Sequence, residues 1–415
     1  MRWAAQLGGF ALIPRVLILY QYFHPDDVVS AVQMSDLSEG LAARGWEVEA
    51  APCNRSCRRA GQKFTGHERW RKVRIERIWR PAFRQSGAVG RILNAAWMIG
   101  AWGMRSLKGS GVPDVVVMGT DPVLSVLAVP CWKFFHPRAA VAHWVHDLYP
   151  EAAIVDGLLR EDGLFVRLCR RLLRAAYRRC DAIVDIGPCM RRLLERYGPS
   201  GRLETLTPWA LDEPPGPLPA DAAERAALFG EARLGLLYSG NFGRAHSYEE
   251  ILALARRLRG KGVSVTFSVR GNREDELRQA VLGSDVNVRF VPFAGRDQLA
   301  LRLGAADVHV VTLRPEWTGA VVPSKFFGAL AAGRPVLFAG SPESSIARWI
   351  EEHRVGWVLT PDTAGTVEKS LLDFADSPAM REQMFARCHC AYQQRFSKKA
   401  MIESWDALLR SLAAV

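Results

Sequence analysis

The sequence predicts an α/β protein built from two doubly wound parallel-sheet domains, and three observations lead there. The chain has 415 residues, too many for one ordinary core and suited to two of about 200 residues each. Short, continuously apolar runs alternate with stretches of helical period along its whole length, as in parallel strands covered by helices. Between the halves, LTPWALDEPPGPLPADA (206–222) carries five prolines and no periodicity, as a linker does. The expected organisation is a first α/β domain over 1–207, a linker over 208–220, a second α/β domain over 221–390, and a terminal helix over 391–415 able to cross back to the first domain. Two such domains would face a central cleft with the carboxyl ends of their strands, where ligands bind in this class of fold.

The elements follow in order. In the first half VLILY, WEVEAAP, DVVVMG, AAVAHWV and DAIVDIG read as buried strands. AVQMSDLSEGLAARG has helical spacing and closes on Gly45, a residue suited to the left-handed turn at a helix end. In the second half the strands are LGLLYSG, VSVTFSV, VNVRFVP, VHVVTL, RPVLFAG and GWVLT, with SYEEILALARRLRG and EDELRQAVLG as helices. FARCHCAYQQRFSKKAMIESWDALLRSL closes the chain as one long helical pattern. No internal repeat is visible, which excludes a solenoid.

Composition narrows the function classes. At 49% hydrophobic and 24% charged, the chain is neither disordered nor an integral membrane protein. No apolar run reaches the ~18 residues of a membrane-spanning helix. The opening MRWAAQLGGFALIPRVLILY resembles a leader, but Pro14 and Arg15 interrupt it, so it is read as running into a first strand of a cytoplasmic protein. The eight cysteines show no paired metal-ligand spacing and are expected to be reduced thiols. The net charge of +12 is concentrated up to Asp212, which holds 30 Lys and Arg against 20 Asp and Glu. Such a surplus suits nucleic acid or anionic lipid, and no nucleic-acid-binding signature accompanies it. GRILNAAWMIGAWGMRSLKG (90–109) and RLCRRLLRAAYRRC (167–180) instead predict a basic, amphipathic surface lying on an anionic membrane. Trp97 and Trp102, both exposed or both buried, are the expected sign.

Four segments carry chemistry. In VHDLYPE (145–151), His146 follows a buried strand, where it can hydrogen-bond a sugar hydroxyl, and Asp147 can hold its ring or the acceptor. LLYSGNFGRAHSYEEIL (236–252) joins a strand, a glycine turn and a helix start, the parts that cradle phosphate. There Arg244 adds a fixed charge. The spacing is neither a dinucleotide fingerprint nor a P-loop, so no cofactor is expected. In GAVVPSKFFGALAAGRPVLFAG (319–340), Pro323 and Ser324 open a helix and Lys325 can neutralise a leaving anion, while Gly333 closes the helix. VRGN (269–272) and FVPFAG (290–295) place Arg270 and Phe293 just after strands.

Together these segments resemble the two-domain GT-B glycosyltransferases, specifically the retaining family 4 group. The likeness is greatest to bacterial transferases of exopolysaccharide and O-antigen assembly, such as the N-acetylfucosamine and colanic-acid types. It covers nearly the whole chain. It implies that His146 lies at the donor sugar, that Gly240, Asn241, Arg244, Ser324 and Lys325 meet the donor diphosphate, and that Arg270 and Phe293 lie at the base. The family's glutamate pair, seven residues apart, is missing. One register puts Ala320 and Gly328 there; another puts Glu316 and Ser324. Ribose recognition is therefore expected to differ, with Glu343 in GSPESSIA, read as a helix start, as its holder. FHPDDVVSA (23–31) has Val28 and Val29 where the family carries glycines, and is read as acceptor contact.

The implied reaction moves a hexose-type sugar from a nucleotide-sugar, UDP-linked by preference, to a hydroxyl of a polyprenyl-diphosphate-linked or other glycan acceptor. Configuration is retained, and the setting is the inner face of the cell membrane. No Asp-x-Asp site occurs in these segments, so no metal is expected. Two other readings stay open: a catalytically silent GT-B partner, suggested by the missing glutamates, and a nucleotide-sugar 2-epimerase.

Overall fold

The apolar runs become the buried strands of two sheets in a computed structural model that describes residues 13–59, 61–84, 87–109 and 111–414. Residues 1–12 of the leader-like opening lie outside the described residues. β1 (Arg15–Leu19), β2 (Glu47–Ala50), β3 (His67–Trp70), β4 (Val73–Glu76), β5 (Val115–Gly119), β6 (Ala140–Trp144), β7 (Ala182–Asp185) and β8 (Arg202–Thr205) form one sheet, in the order β3-β4-β2-β1-β5-β6-β7-β8. β9 (Leu234–Asn241), β10 (Val263–Arg270), β11 (Val288–Phe290), β12 (Val308–Thr312), β13 (Val336–Ala339) and β14 (Gly356–Leu359) form the other, in the order β11-β10-β9-β12-β13-β14. Pairing is parallel in both, as β1 with β5 and β9 with β10 illustrate. The hairpin of β3 with β4 is antiparallel. Both sheets are thus doubly wound and Rossmann-like, as the alternating pattern predicts.

The chain divides into two compact units. The first holds the chain up to Trp144, Ala176–Ile183 and the residues from Trp405; the second holds Val145–Ala175 and Val184–Ser404. In the first unit β5 is wholly apolar and buried, with Val115, Val116, Val117 and Met118 inside the core. The end of the chain completes this core. Trp405 is buried with its ring 5.0 Å from that of Trp144, and Asp406 accepts the Trp46 indole N–H at 2.6 Å. The core of the second unit gathers Leu236, Tyr238, Phe267, Val310 and Leu337 from its strands with Ile251, Leu371 and Phe374 from its helices.

Several expectations are corrected. β3, β4 and β8 are strands that the apolar pattern does not reveal. Each is four residues long and carries charge, and β3 alternates between exposed and half-buried positions at a sheet edge. The terminal helical pattern is two helices, Pro378–Arg395 and Lys398–Ala413. Between them Phe396 turns inward against Phe327 and Trp349, and Ser397 accepts the Ala400 N–H. Trp97 and Trp102 do not share a fate. Trp97 is 46% exposed, whereas Trp102 is buried and donates to the Ala51 carbonyl at 2.9 Å. Five residues along a helix is about 140° around it, so the two rings lie on different faces. Among the described residues no helix is long and apolar enough to cross a membrane.

Candidate active site

The site grows from the carboxyl end of β9, the strand between β10 and β12. β9 is buried through Tyr238, then emerges at Ser239, Gly240 and Asn241. Gly240 has φ +133°, and a Cβ there would lie 2.6 Å from Cε of Lys325. Only glycine fits both demands. After Asn241 the chain turns, with the Phe242 N–H bonded to the Arg270 carbonyl at 2.8 Å and the His246 N–H to the Gly243 carbonyl at 3.0 Å. This turn brings the His246 ring inward.

Lys325 opens the helix Lys325–Ala331, which is anchored by Phe326 and Phe327 buried against Trp349. Its ammonium points back to the turn. It donates to the Asn241 carbonyl at 3.0 Å, lies 3.5 Å from Nε2 of His246, and sits 5.0 Å from the centre of the Tyr238 ring. Burial pulls Lys325 down to about 8, so at neutral pH it is mostly charged. Among the described residues no carboxylate pairs with it. The structure therefore brings Gly240, Asn241 and Lys325 into one cationic pocket wall, suited to an anionic oxygen.

His246, Tyr238 and Thr312 belong to this wall, and sequence reasoning missed them. His246 lies 2.8 Å from the Thr312 carbonyl through Nδ1, so Nδ1 carries the proton and Nε2 is bare. Burial first, and then the charge of Lys325, push its imidazole down to about 3. The residue was visible in GRAHSY, but no spacing signals that its ring turns inward.

His146 is half-buried and Asp147 exposed in the loop after β6. That loop is tied to the Lys325 segment through the Leu148 N–H, which donates to the Ala320 carbonyl at 2.9 Å. Beside it Gly319, at φ +90°, lets the chain pass close to Cys189, whose carbonyl oxygen a Cβ there would meet at 2.6 Å. Although part of Asp147 reaches solvent, the protein packed around its carboxyl raises it to about 6.

Arg244 is not part of the Lys325 wall as the chain stands. Its guanidinium donates to Asp156 at 2.7 Å, beside a cavity of about 320 Å³ lined by Arg273, Arg314 and Glu276 among others.

Residues 30–209 match the glycosyl transferase 4-like domain. Over 307 residues the chain is 28% identical to the probable glycosyltransferase WbjE of Pseudomonas aeruginosa, covering 72% of this chain and 75% of that protein. The chain thus carries a glycosyl transferase 4-like domain and has the GT-B fold. Solved structures agree on the fold. Sucrose-phosphate synthase from Thermosynechococcus elongatus superposes with a TM-score of 0.69 at 17% identity, over 97% of this chain and 99% of that one. HepE of Anabaena, solved with UDP-glucose, gives 0.62 at 12% identity over 96% and 99%.

The remaining expected residues fall elsewhere. Arg270 and Phe293 are brought together at the ends of their strands, the guanidinium 4.1 Å from the ring centre. Ser324 is exposed and its hydroxyl caps nothing. Glu316 is exposed in the short turn Pro315–Trp317. Glu343 does not start a helix: the helix is Ser345–His353, capped by Ser344, and Glu343 lies outside it, 3.8 Å from Arg192. The helix start expected to follow the phosphate turn also differs. Helix Glu249–Arg257 begins eight residues after Asn241, and its first turn already holds Glu249 and Glu250. In FHPDDVVSA, Asp26 is used internally, accepting from Ser56 at 2.9 Å and from the Cys57 N–H at 3.1 Å.

Proposed function

We propose that this chain is a glycosyltransferase that takes a hexose-type sugar from a nucleotide-sugar, UDP-linked by preference, and passes it with retained configuration to a hydroxyl of a lipid-linked glycan. The setting is cell-surface polysaccharide assembly at the inner face of the membrane. The observation that carries the reading is the Lys325 wall: a half-buried ammonium that has no carboxylate partner among the described residues, beside a glycine that lets the backbone approach. Departure of a nucleoside diphosphate is the hard step of such a transfer, and a fixed cation at that leaving group is worth about 3 kcal/mol of barrier. Arg244 would join it on leaving Asp156. His146 and Asp147 would orient the sugar, and Arg270 with Phe293 would offer the base a cation and a ring face. Retention and the lipid acceptor come from the family resemblance, and the expectation of no metal from the lack of an Asp-x-Asp site in the four segments.

The test is donor binding. Thermal shift against UDP, GDP, dTDP and UDP-sugars is expected to single out one nucleotide class, with about 2.7 kcal/mol of stabilisation at one hundred times the dissociation constant. Lys325→Ala is expected to abolish the shift and to lower kcat/KM by about 100-fold. Wild-type binding is expected to weaken as pH rises through about 8, where Lys325 loses its proton. A well-folded protein that responds to no nucleotide would refute the reading in favour of a silent partner. Release of nucleotide without any acceptor would favour an epimerase.

A further inference from the structure

The Lys325 ammonium has three N–H donors, and two of them have partners within the protein: the Asn241 carbonyl at 3.0 Å and Nε2 of His246 at 3.5 Å. The Tyr238 ring fills one side at 5.0 Å. One donor remains for a ligand. The two partners are electron-rich but uncharged, so they hold the ammonium without neutralising it. A carboxylate in the place of His246 would hold it more strongly and compete with any incoming anion.

His246 is itself held from every side. Its Nδ1–H faces the Thr312 carbonyl at 2.8 Å at the end of β12, and its own N–H meets the Gly243 carbonyl at 3.0 Å. Its carbonyl accepts from the Arg273 guanidinium, and its ring lies 5.8 Å from that of Phe242 and 5.9 Å from that of Tyr238. The charged groups facing it are Lys325 and Arg273, the latter paired with Glu276. Both cations oppose a second proton on the ring, as does burial. The imidazole therefore stays a neutral acceptor across the working pH range, and no other group of this turn presents a bare nitrogen to Lys325.

We propose that His246 is a positioning residue of the donor site, whose neutral imidazole fixes the Lys325 ammonium while leaving its charge for the donor diphosphate. The proposal rests on the transferase reading for the identity of the anion, but not for the tether itself. Two readouts separate these claims. The first follows the titration of Lys325 by NMR of protein labelled at lysine Cε, the signal being assigned by its loss in Lys325→Arg. No ligand is needed. The second measures UDP binding by calorimetry.

His246→Glu is expected to raise the Lys325 midpoint by more than about one pH unit, because it adds an opposite charge, and yet to weaken UDP binding. His246→Ala is expected to weaken UDP about tenfold, as the loss of one hydrogen bond does, and His246→Gln, which keeps an acceptor, to stay within about threefold of wild type. A merely structural histidine would lower Tm in all three and leave affinity in the folded protein unchanged. An unmoved Lys325 titration in His246→Glu, or wild-type UDP affinity in folded His246→Ala, overturns the proposal. Failure of the wild type to bind any nucleotide would instead remove the donor assignment, while the titration still decides the tether.

Discussion

At the scale of single residues, Gly240 and Asp147 make the sharpest demands. Gly240 combines φ +133° with a contact that leaves no room beside the Lys325 side chain. Gly240→Ala therefore strains the backbone by about 1–3 kcal/mol and displaces the ammonium. The expected outcome is a Tm several degrees lower and donor binding at least tenfold weaker, measured by calorimetry on the folded variant. Burial in the folded protein raises the Asp147 carboxyl to about 6, from the ordinary 3.8 that it keeps in the unfolded chain. Between those values the folded state holds a proton that the unfolded state has released, so stability falls as pH rises from about 4 to about 6. Asp147→Asn removes that dependence. Its Tm relative to wild type is expected to be higher at pH 7.5 than at pH 4.5, in paired thermal melts, whatever happens to activity.

At the scale of elements, the helix Leu164–Tyr177 stands out. Leu164 is 82% exposed, and Phe165, Leu168 and Leu172 are exposed beside it. Arg167, Arg171 and Arg174 are exposed on the same helix. Apolar side chains among arginines suit the headgroup region of an anionic bilayer, each basic residue adding about 1 kcal/mol. Replacing all three arginines with glutamine is expected to weaken binding to phosphatidylglycerol-containing vesicles by about 100-fold, with Tm nearly unchanged. Co-sedimentation measures it, and unchanged binding, or none by the wild type, would refute a membrane contact through this helix. The helix Ala88–Arg105 is the alternative, with Val89, Ile92 and Trp97 exposed.

At the scale of the whole molecule, the first unit depends on the last residues of the chain. Trp405 is fully buried against Trp144. Trp405→Ala should cost about 3–5 kcal/mol through the cavity it leaves, which is roughly 10 °C of Tm for a domain of this size. Differential scanning calorimetry checks it, and a loss of only a degree or two would show that the terminal segment is dispensable. This long-range closure is also where the sequence was least legible. The apolar runs that became β1, β5, β9 and β10 announced themselves because both faces of a parallel sheet are buried. β3, β4 and β8 did not, since four-residue stretches with charged positions read as loop until a neighbouring strand supplies their hydrogen bonds.

The site shows the same division. The glycine turn at Gly240 and Asn241 and the cation at Lys325 were legible because a strand, a glycine turn and a helix start with a cation follow a recognisable local order. Glu343 was misplaced because an acid near a helix start looks alike whether it lies inside the first turn or just before the cap. By itself the sequence determined the fold class, the parallel strands and the glycine turn after β9, all of which follow from local periodicity and composition. Only the tertiary structure decided that His246 and Tyr238 close around Lys325, that Arg244 rests on Asp156, and that Trp405 completes a core begun at Arg15. Those contacts join residues tens to hundreds of positions apart, and no local pattern encodes which distant side chain will meet which.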